Sequence, residues 1–204
     1  MYHSRYLDAL DCALRNTEVS SREGQLEFQT GLEQSLKLLR DLQQADRCQH
    51  LIGNGASAAF AEHMSLDWTK NGGVRTASPS SWVLVTALSN DLGFENAFAT
   101  YVDRYAHTGD LLLTISSSGN SANIIKAISA ARDKGCKVIT LSGLKPDNVS
   151  RKLGDINYYV PAKTYGIVEC AHQVLLHLLL DSFMGIEEWS RDSCQDMNYK
   201  TFQI

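Results

Sequence analysis

Three things are missing from this chain: a cysteine motif, an excess of basic charge and a long hydrophobic run. The five cysteines (Cys12, Cys48, Cys136, Cys170 and Cys194) are widely spaced, and no pair has CxxC spacing. That excludes a zinc ribbon or a dithiol redox motif and leaves reduced thiols of a cytosolic protein as the plain expectation. Lysine and arginine number 19 against 23 aspartates and glutamates, a formal net charge of -4. Such a balance gives no general pull toward nucleic acid or anionic membrane. No apolar run approaches the roughly 20 residues that span a bilayer. The greasiest piece, Leu175 to Leu180, is interrupted by His177. The opening stretch MYHSRYLDALDCALRN lacks the apolar core of a signal peptide. The expectation is a cytoplasmic protein with neither a membrane nor a nucleic-acid partner. Also missing are a GxxxxGKS/T phosphate loop, an internal repeat and a low-complexity segment.

What is present is an alternation of short apolar strands and helical patterns over 204 residues. The length suits one domain with a full core. Helices are predicted over about 4–17 and 22–45, with Ser20 or Ser21 capping the second. HLIGNGAS reads as a buried strand ending in a glycine turn, with a helix from about Ser57 to Lys70. Val74 to Ser81 reads as a strand and loop. Two helices, Trp82 to Leu88 and Glu95 to Tyr105, flank a turn at Ser89-Asn90-Asp91. Further strands fall at Leu111 to Ile115, Lys137 to Leu141 and Ile156 to Val160. Helices follow at Ala122 to Lys134 and from about Gly166 to Met184. This pattern predicts an α/β three-layer sandwich with a central parallel sheet. Crossovers of one hand bring both Ser/Gly loops to one sheet edge. The division read from the chain is 1–45 as N-terminal helices, 46–186 as the α/β domain and 187–204 as a polar tail. Leu32, Leu36, Leu39 and Leu42 form one helical stripe that needs cover, from the same subunit or from a helical bundle with others.

The most informative stretch is DLLLTISSSGNS, Asp110 to Ser121. Strand, hydroxyl-rich turn and helix start, in that order, make an anion site. The first amides of a helix are unpaired, and the helix dipole favours negative charge there. Ser116, Ser117, Ser118 and Ser121 add hydroxyls, and the absence of a basic residue in the loop suggests a monophosphate. The earlier loop, Gly53-Asn54-Gly55-Ala56-Ser57, resembles a dinucleotide fingerprint only superficially. No acidic residue ends a second strand about 20 residues later; the chain there is Val74-Arg75-Thr76. Gly55 lets backbone approach a ligand, and Ser57 supplies a hydroxyl.

Ionisable residues gather on two helices. His63 and Asp67 are four apart and emerge on one face. Glu169 and His177 are eight apart, about 80° beyond two full turns, so they share a broad face. Two imidazoles and two carboxylates are an ordinary divalent-metal set. The same pattern also fits a satisfied core histidine and solvated acids.

GNGAS, SNDLGF, ISSSGNSANIIKAISAARDKGCKVITLSG and ECAHQVLLH occur in that order and resemble the sugar isomerase (SIS) domain. They are most similar to its phosphoheptose isomerase group, from about residue 22 to 184. The resemblance implies aldose–ketose isomerisation of a phosphorylated sugar through an enediolate, with sedoheptulose 7-phosphate to D-glycero-D-manno-heptose 7-phosphate as the leading reaction. It also implies a homotetramer whose N-terminal helices pack between subunits. The family's zinc-ligand positions fall on His63, Asp67, Glu169 and His177, where its pattern is His, Glu, Gln, His. Asp67 matches the family's base and His177 its acid. Asp67 is one methylene shorter than glutamate, about 1.5 Å less reach, so Glu169 is an alternative base. His172, one turn from Glu169, either orients it or is a surface residue. Asn54, Gly55, Ser57, Asn90, Asp91 and the four serines match substrate contacts. Asn71, beside Lys70, stands where the family often has arginine. A non-catalytic branch of the family, sugar-phosphate binders and replication-initiator-associating scaffolds, shares the fold and the loops.

Overall fold

The structure, a computed structural model, describes residues 1–186. Seven strands form one sheet: β1 (Glu18–Ser21), β2 (Gly24–Leu26), β3 (Gln49–Gly53), β4 (Thr76–Ala77), β5 (Leu111–Ser116), β6 (Lys137–Gly143) and β7 (Ile156–Val160). Their order across the sheet is β2-β1-β7-β6-β5-β3-β4. The five strands from β7 to β4 are parallel to their neighbours, while β1 runs antiparallel to both β7 and β2. The expected parallel sheet is therefore mostly parallel, with an antiparallel hairpin at one edge. β3, β5 and β7 are buried along their whole length. That is why they read as continuous apolar runs and not as alternating ones.

The helices are α1 (Tyr2–Arg15), α2 (Phe28–Gln44), α3 (Ala56–Lys70), α4 (Trp82–Leu92), α5 (Phe94–Tyr105), α6 (Ala122–Asp133) and α7 (Tyr165–Met184). They cover the sheet in two layers. On one face, Leu36 and Leu39 of α2, Met64 and Trp68 of α3 and Leu175 and Leu179 of α7 join Leu51, Leu113 and Ile115 of the sheet. On the other, Phe98 and Val102 of α5 and Ile124 and Ile128 of α6 meet Ile52, Leu112 and Val138.

Four expectations change or narrow. The second helix begins at Phe28, not near residue 22, and Ser20 and Ser21 are strand residues, not its cap. The segment Glu18–Leu26 is a hairpin held by pairing with β7, so part of the N-terminal segment belongs to the sheet. The leucine stripe is covered within the subunit: Leu32, Leu36, Leu39 and Leu42 are all buried in the first core cluster. Burying four such side chains contributes roughly 1.5–3 kcal/mol each. The fourth helix runs through Asn90 and Asp91, and the break comes at Gly93, not at the expected turn.

α7 is long and apolar enough, by length and composition, to cross a membrane. Here it is a core helix, with Val168, Ala171, Leu175, Leu176 and Leu179 buried against the sheet. Thr164 caps its start by accepting from the Ile167 amide at 3.4 Å, and Gly185 ends it in the left-handed conformation.

Candidate functional site

β3 and β5 are neighbours, with Gly53 opposite Ile115. From β3 the chain passes through α3, on the first face, to β4; from β5 it passes through α6, on the second face, to β6. The connections diverge between β3 and β5, and ligands of open α/β sheets lie in the crevice beyond such a point. Both Ser/Gly loops leave the sheet there, as the sequence predicts.

The serine loop is built tightly. The Gly119 amide donates to the Ser116 carbonyl at 2.9 Å and to Ser116 Oγ at 3.2 Å. Gly119 has φ +61, and a Cβ there would lie 2.0 Å from Asn148 Oδ1. No other residue fits that turn. The segment after β6 braces it: the Ser150 amide donates to the Gly119 carbonyl, and the Val149 amide to Asn120 Oδ1. Ser116 and Ser117 are buried, and Ser117 Oγ has no hydrogen-bond partner among the described residues. A buried hydroxyl left unpaired beside a helix N-terminus has donor capacity to spare for a ligand. Ser121 is the N-cap of α6, yet its side chain makes no capping bond.

The glycine loop starts α3. Gly55 is its N-cap with φ 56 and ψ −125, a backbone state open essentially to glycine. Ser57 is buried behind it. Asn54 and Asn123 tie the two loops together. Each amide nitrogen donates to the other's oxygen at 2.9 Å. Asn123 was not singled out from the sequence; an asparagine on the first turn of a helix looks like any polar helix residue. Only the adjacency of β3 and β5 gives it a partner.

On α3 and α7 the structure brings His63, Asp67 and His177 together. One ligand atom from each lies within 4.8 Å of the others. His63 Nε2 is 3.2 Å from Asp67 Oδ2, and the His63 and His177 rings meet edge to face at 5.6 Å. Two imidazoles and a carboxylate with an open side fit a catalytic zinc ligand set.

Glu169 does not join this group. It lies two turns before His177 on α7, half-buried. Gln173 occupies the turn between and sits with its Nε2 2.8 Å from His177 Nε2. His172 is neither a surface residue nor a partner of Glu169: it is fully buried, and its Nε2–H donates to the Ser142 carbonyl at 3.1 Å. Burial pushes its pKa down to about 4, against the opposing effect of that hydrogen bond. Asn90 and Asp91 are exposed on the last turn of α4, with Asn90 donating to Asp91. Lys70 is exposed at the end of α3, with Asn71 as the C-cap.

Known proteins resemble the chain along this framework. The SIS domain family profile matches residues 17–143. A phosphoheptose isomerase of Aliarcobacter butzleri is 37% identical over 135 residues, covering 63% of this chain and 71% of that protein. That of Proteus mirabilis is 40% identical over 134 residues, covering 63% and 69%. Among solved structures, phosphoheptose isomerase GmhA from Neisseria gonorrhoeae superposes with a TM-score of 0.71 at 30% identity, over 76% of this chain and 86% of that one. With the sheet order, the two loops at one crevice and the matched span in agreement, this chain belongs to the SIS domain family, among relatives that are phosphoheptose isomerases.

Proposed function

We propose that this protein is an isomerase that interconverts the aldose and ketose forms of a phosphorylated sugar. Sedoheptulose 7-phosphate to D-glycero-D-manno-heptose 7-phosphate is the leading pair. The observation that carries the reading is the His63, Asp67 and His177 group in a chain of this family. A scaffold or a sugar-phosphate sensor has no use for a carboxylate set between two imidazoles.

The serine loop holds the phosphate through the α6 amides and the hydroxyls of Ser116, Ser117, Ser118 and Ser121, with Asn54, Gly55 and Ser57 from the other side. Asn90 and Asp91 are the proposed sugar contacts from α4. Asp67 is the base. It removes the proton from the carbon next to the carbonyl, and that C–H electron pair becomes the enediolate double bond. His177 donates a proton to the former carbonyl oxygen, Asp67 returns its proton to the former carbonyl carbon, and the neighbouring hydroxyl gives its proton back to His177 as its oxygen becomes the new carbonyl. Proton transfer by a positioned group is worth about 10²–10⁴ in rate. Glu169 is the second candidate for the base, but it stands outside the group that holds Asp67, which favours Asp67. His63, Asp67 and His177 are the residues that would hold a zinc ion, with Glu169 as the fourth expected position. A bound zinc would supply polarisation of a sugar oxygen.

A homotetramer is the proposed assembly, in a cytoplasmic setting. Two apolar surfaces without a partner among the described residues support self-association. α4 has no buried residue, with Trp82 79% and Val83 74% exposed. A groove of about 1000 Å³ between α2 and α7 is lined at its open side by Phe28, Phe60, Val174 and Leu178. Exposed apolar patches of this kind mark interaction sites. The four described cysteines are unpaired, which suits a reducing compartment.

The test is turnover of sedoheptulose 7-phosphate and of pentose and hexose phosphates, each with and without added zinc. Conversion of one of them supports the reading. No conversion of any, beside tight binding of one, would favour the sensor.

A further inference from the structure

Glu169, Gln173 and His177 follow one another at four-residue intervals on α7, so they form one stripe. Gln173 is the member of that stripe that touches His177: its amide nitrogen is 2.8 Å from His177 Nε2. The side chain is half-buried, with the Met64 sulfur 3.8 Å away, and Gln173 Oε1 has no partner among the described residues. An amide whose oxygen is buried without a partner while its nitrogen is held is costly unless the bond at the nitrogen matters.

We propose that Gln173 is a positioning residue for His177, holding its ring through Nε2 and setting which ring nitrogen carries the proton. An amide can turn either end toward the imidazole. With its nitrogen facing the ring, Nε2 keeps a lone pair and Nδ1 carries the hydrogen. With its oxygen facing the ring, Nε2–H donates, and Nδ1 keeps the lone pair that a cation requires. A histidine that binds metal nearly always donates its other N–H to such an acceptor, and losing that acceptor typically lowers metal affinity 10–100-fold. The oxygen-facing state is the one that serves a metal-bound site. The metal part of this inference rests on the reading of His63, Asp67 and His177 as ligands.

Two variants test it. Gln173→Met keeps the length and volume of the side chain and removes the hydrogen bond; Gln173→Glu keeps an acceptor. The readouts are the imidazole nitrogen NMR shifts of His177 in metal-free protein, and Co²⁺ affinity followed by the cobalt absorption bands. The wild type should show one dominant tautomer and Q173M a mixture. Q173M should bind Co²⁺ 10–100-fold more weakly, and Q173E within about threefold of the wild type. Circular dichroism of each variant confirms the fold. If Q173M matches the wild type in tautomer and in cobalt affinity, the proposal is wrong. It is equally wrong if Q173E falls as far as Q173M. A wild type that binds no cobalt would overturn the metal reading alone, and the nitrogen shifts would still decide the role of Gln173.

Discussion

His172 makes the stability of this protein depend on pH in a way that can be worked out. The residue is fully buried in α7, its Nε2–H held by the Ser142 carbonyl and its Nδ1 without a partner among the described residues. Burial disfavours the imidazolium and lowers the folded-state pKa from 6.5 to about 4. The unfolded chain therefore binds a proton that the folded chain refuses. The stabilising contribution is complete above pH 6.5 and is lost as pH falls toward 4. At pH 4.5 the linkage relation gives a loss of roughly 2–3 kcal/mol relative to neutral pH, from this side chain alone. His50 shifts in the same direction, because burial outweighs its contact with Asp110, and it adds to the loss. Denaturant unfolding at pH 7.5 and pH 4.5, at one protein concentration, measures the total. His172→Gln keeps an N–H for the Ser142 carbonyl and does not titrate. It should lose roughly 2–3 kcal/mol less than the wild type across that interval. Equal pH dependence of the two proteins would refute the assignment.

Two further predictions concern the loops. Asn123→Ala leaves the Asn54 amide without its two 2.9 Å bonds, and should cost about 1–3 kcal/mol in thermal unfolding while raising KM more than it lowers kcat. Ser118→Ala should weaken sugar-phosphate binding by roughly 1–2 kcal/mol, read by calorimetry; unchanged affinity would remove Ser118 from the phosphate site.

Much of this was legible in the chain, and the rest was hidden for identifiable reasons. β3, β5, β6 and β7 announce themselves because strands buried on both faces are mainly apolar and do not alternate. The serine loop shows itself by contrast with the apolar strand before it. β1 and β2 do not, since EVSS and GQL are short and polar and exist as strands through pairing with β7. The leucine stripe was visible, but what covers it depends on where the sheet lies. Helical spacing put His63 and Asp67 on one face, and His177 met them as the resemblance implies. Spacing gave Glu169 equal standing, because it cannot show that Gln173 lies closer to His177. His172 read as either a partner of Glu169 or a surface residue, because a lone histidine carries no mark of its burial. Asn54 and Asn123 stand 69 positions apart, and only the fold reveals their pairing.

The most direct measurement is proton NMR of sedoheptulose 7-phosphate with the protein in D₂O, for the wild type and Asp67→Asn. It follows both conversion to the aldose and the entry of deuterium at the carbon next to the carbonyl. If Asp67 is the base, the wild type converts the sugar and incorporates deuterium, and D67N loses both by about 10²-fold or more while still binding the phosphate. Wild-type rates in D67N, for conversion and for exchange, would contradict it.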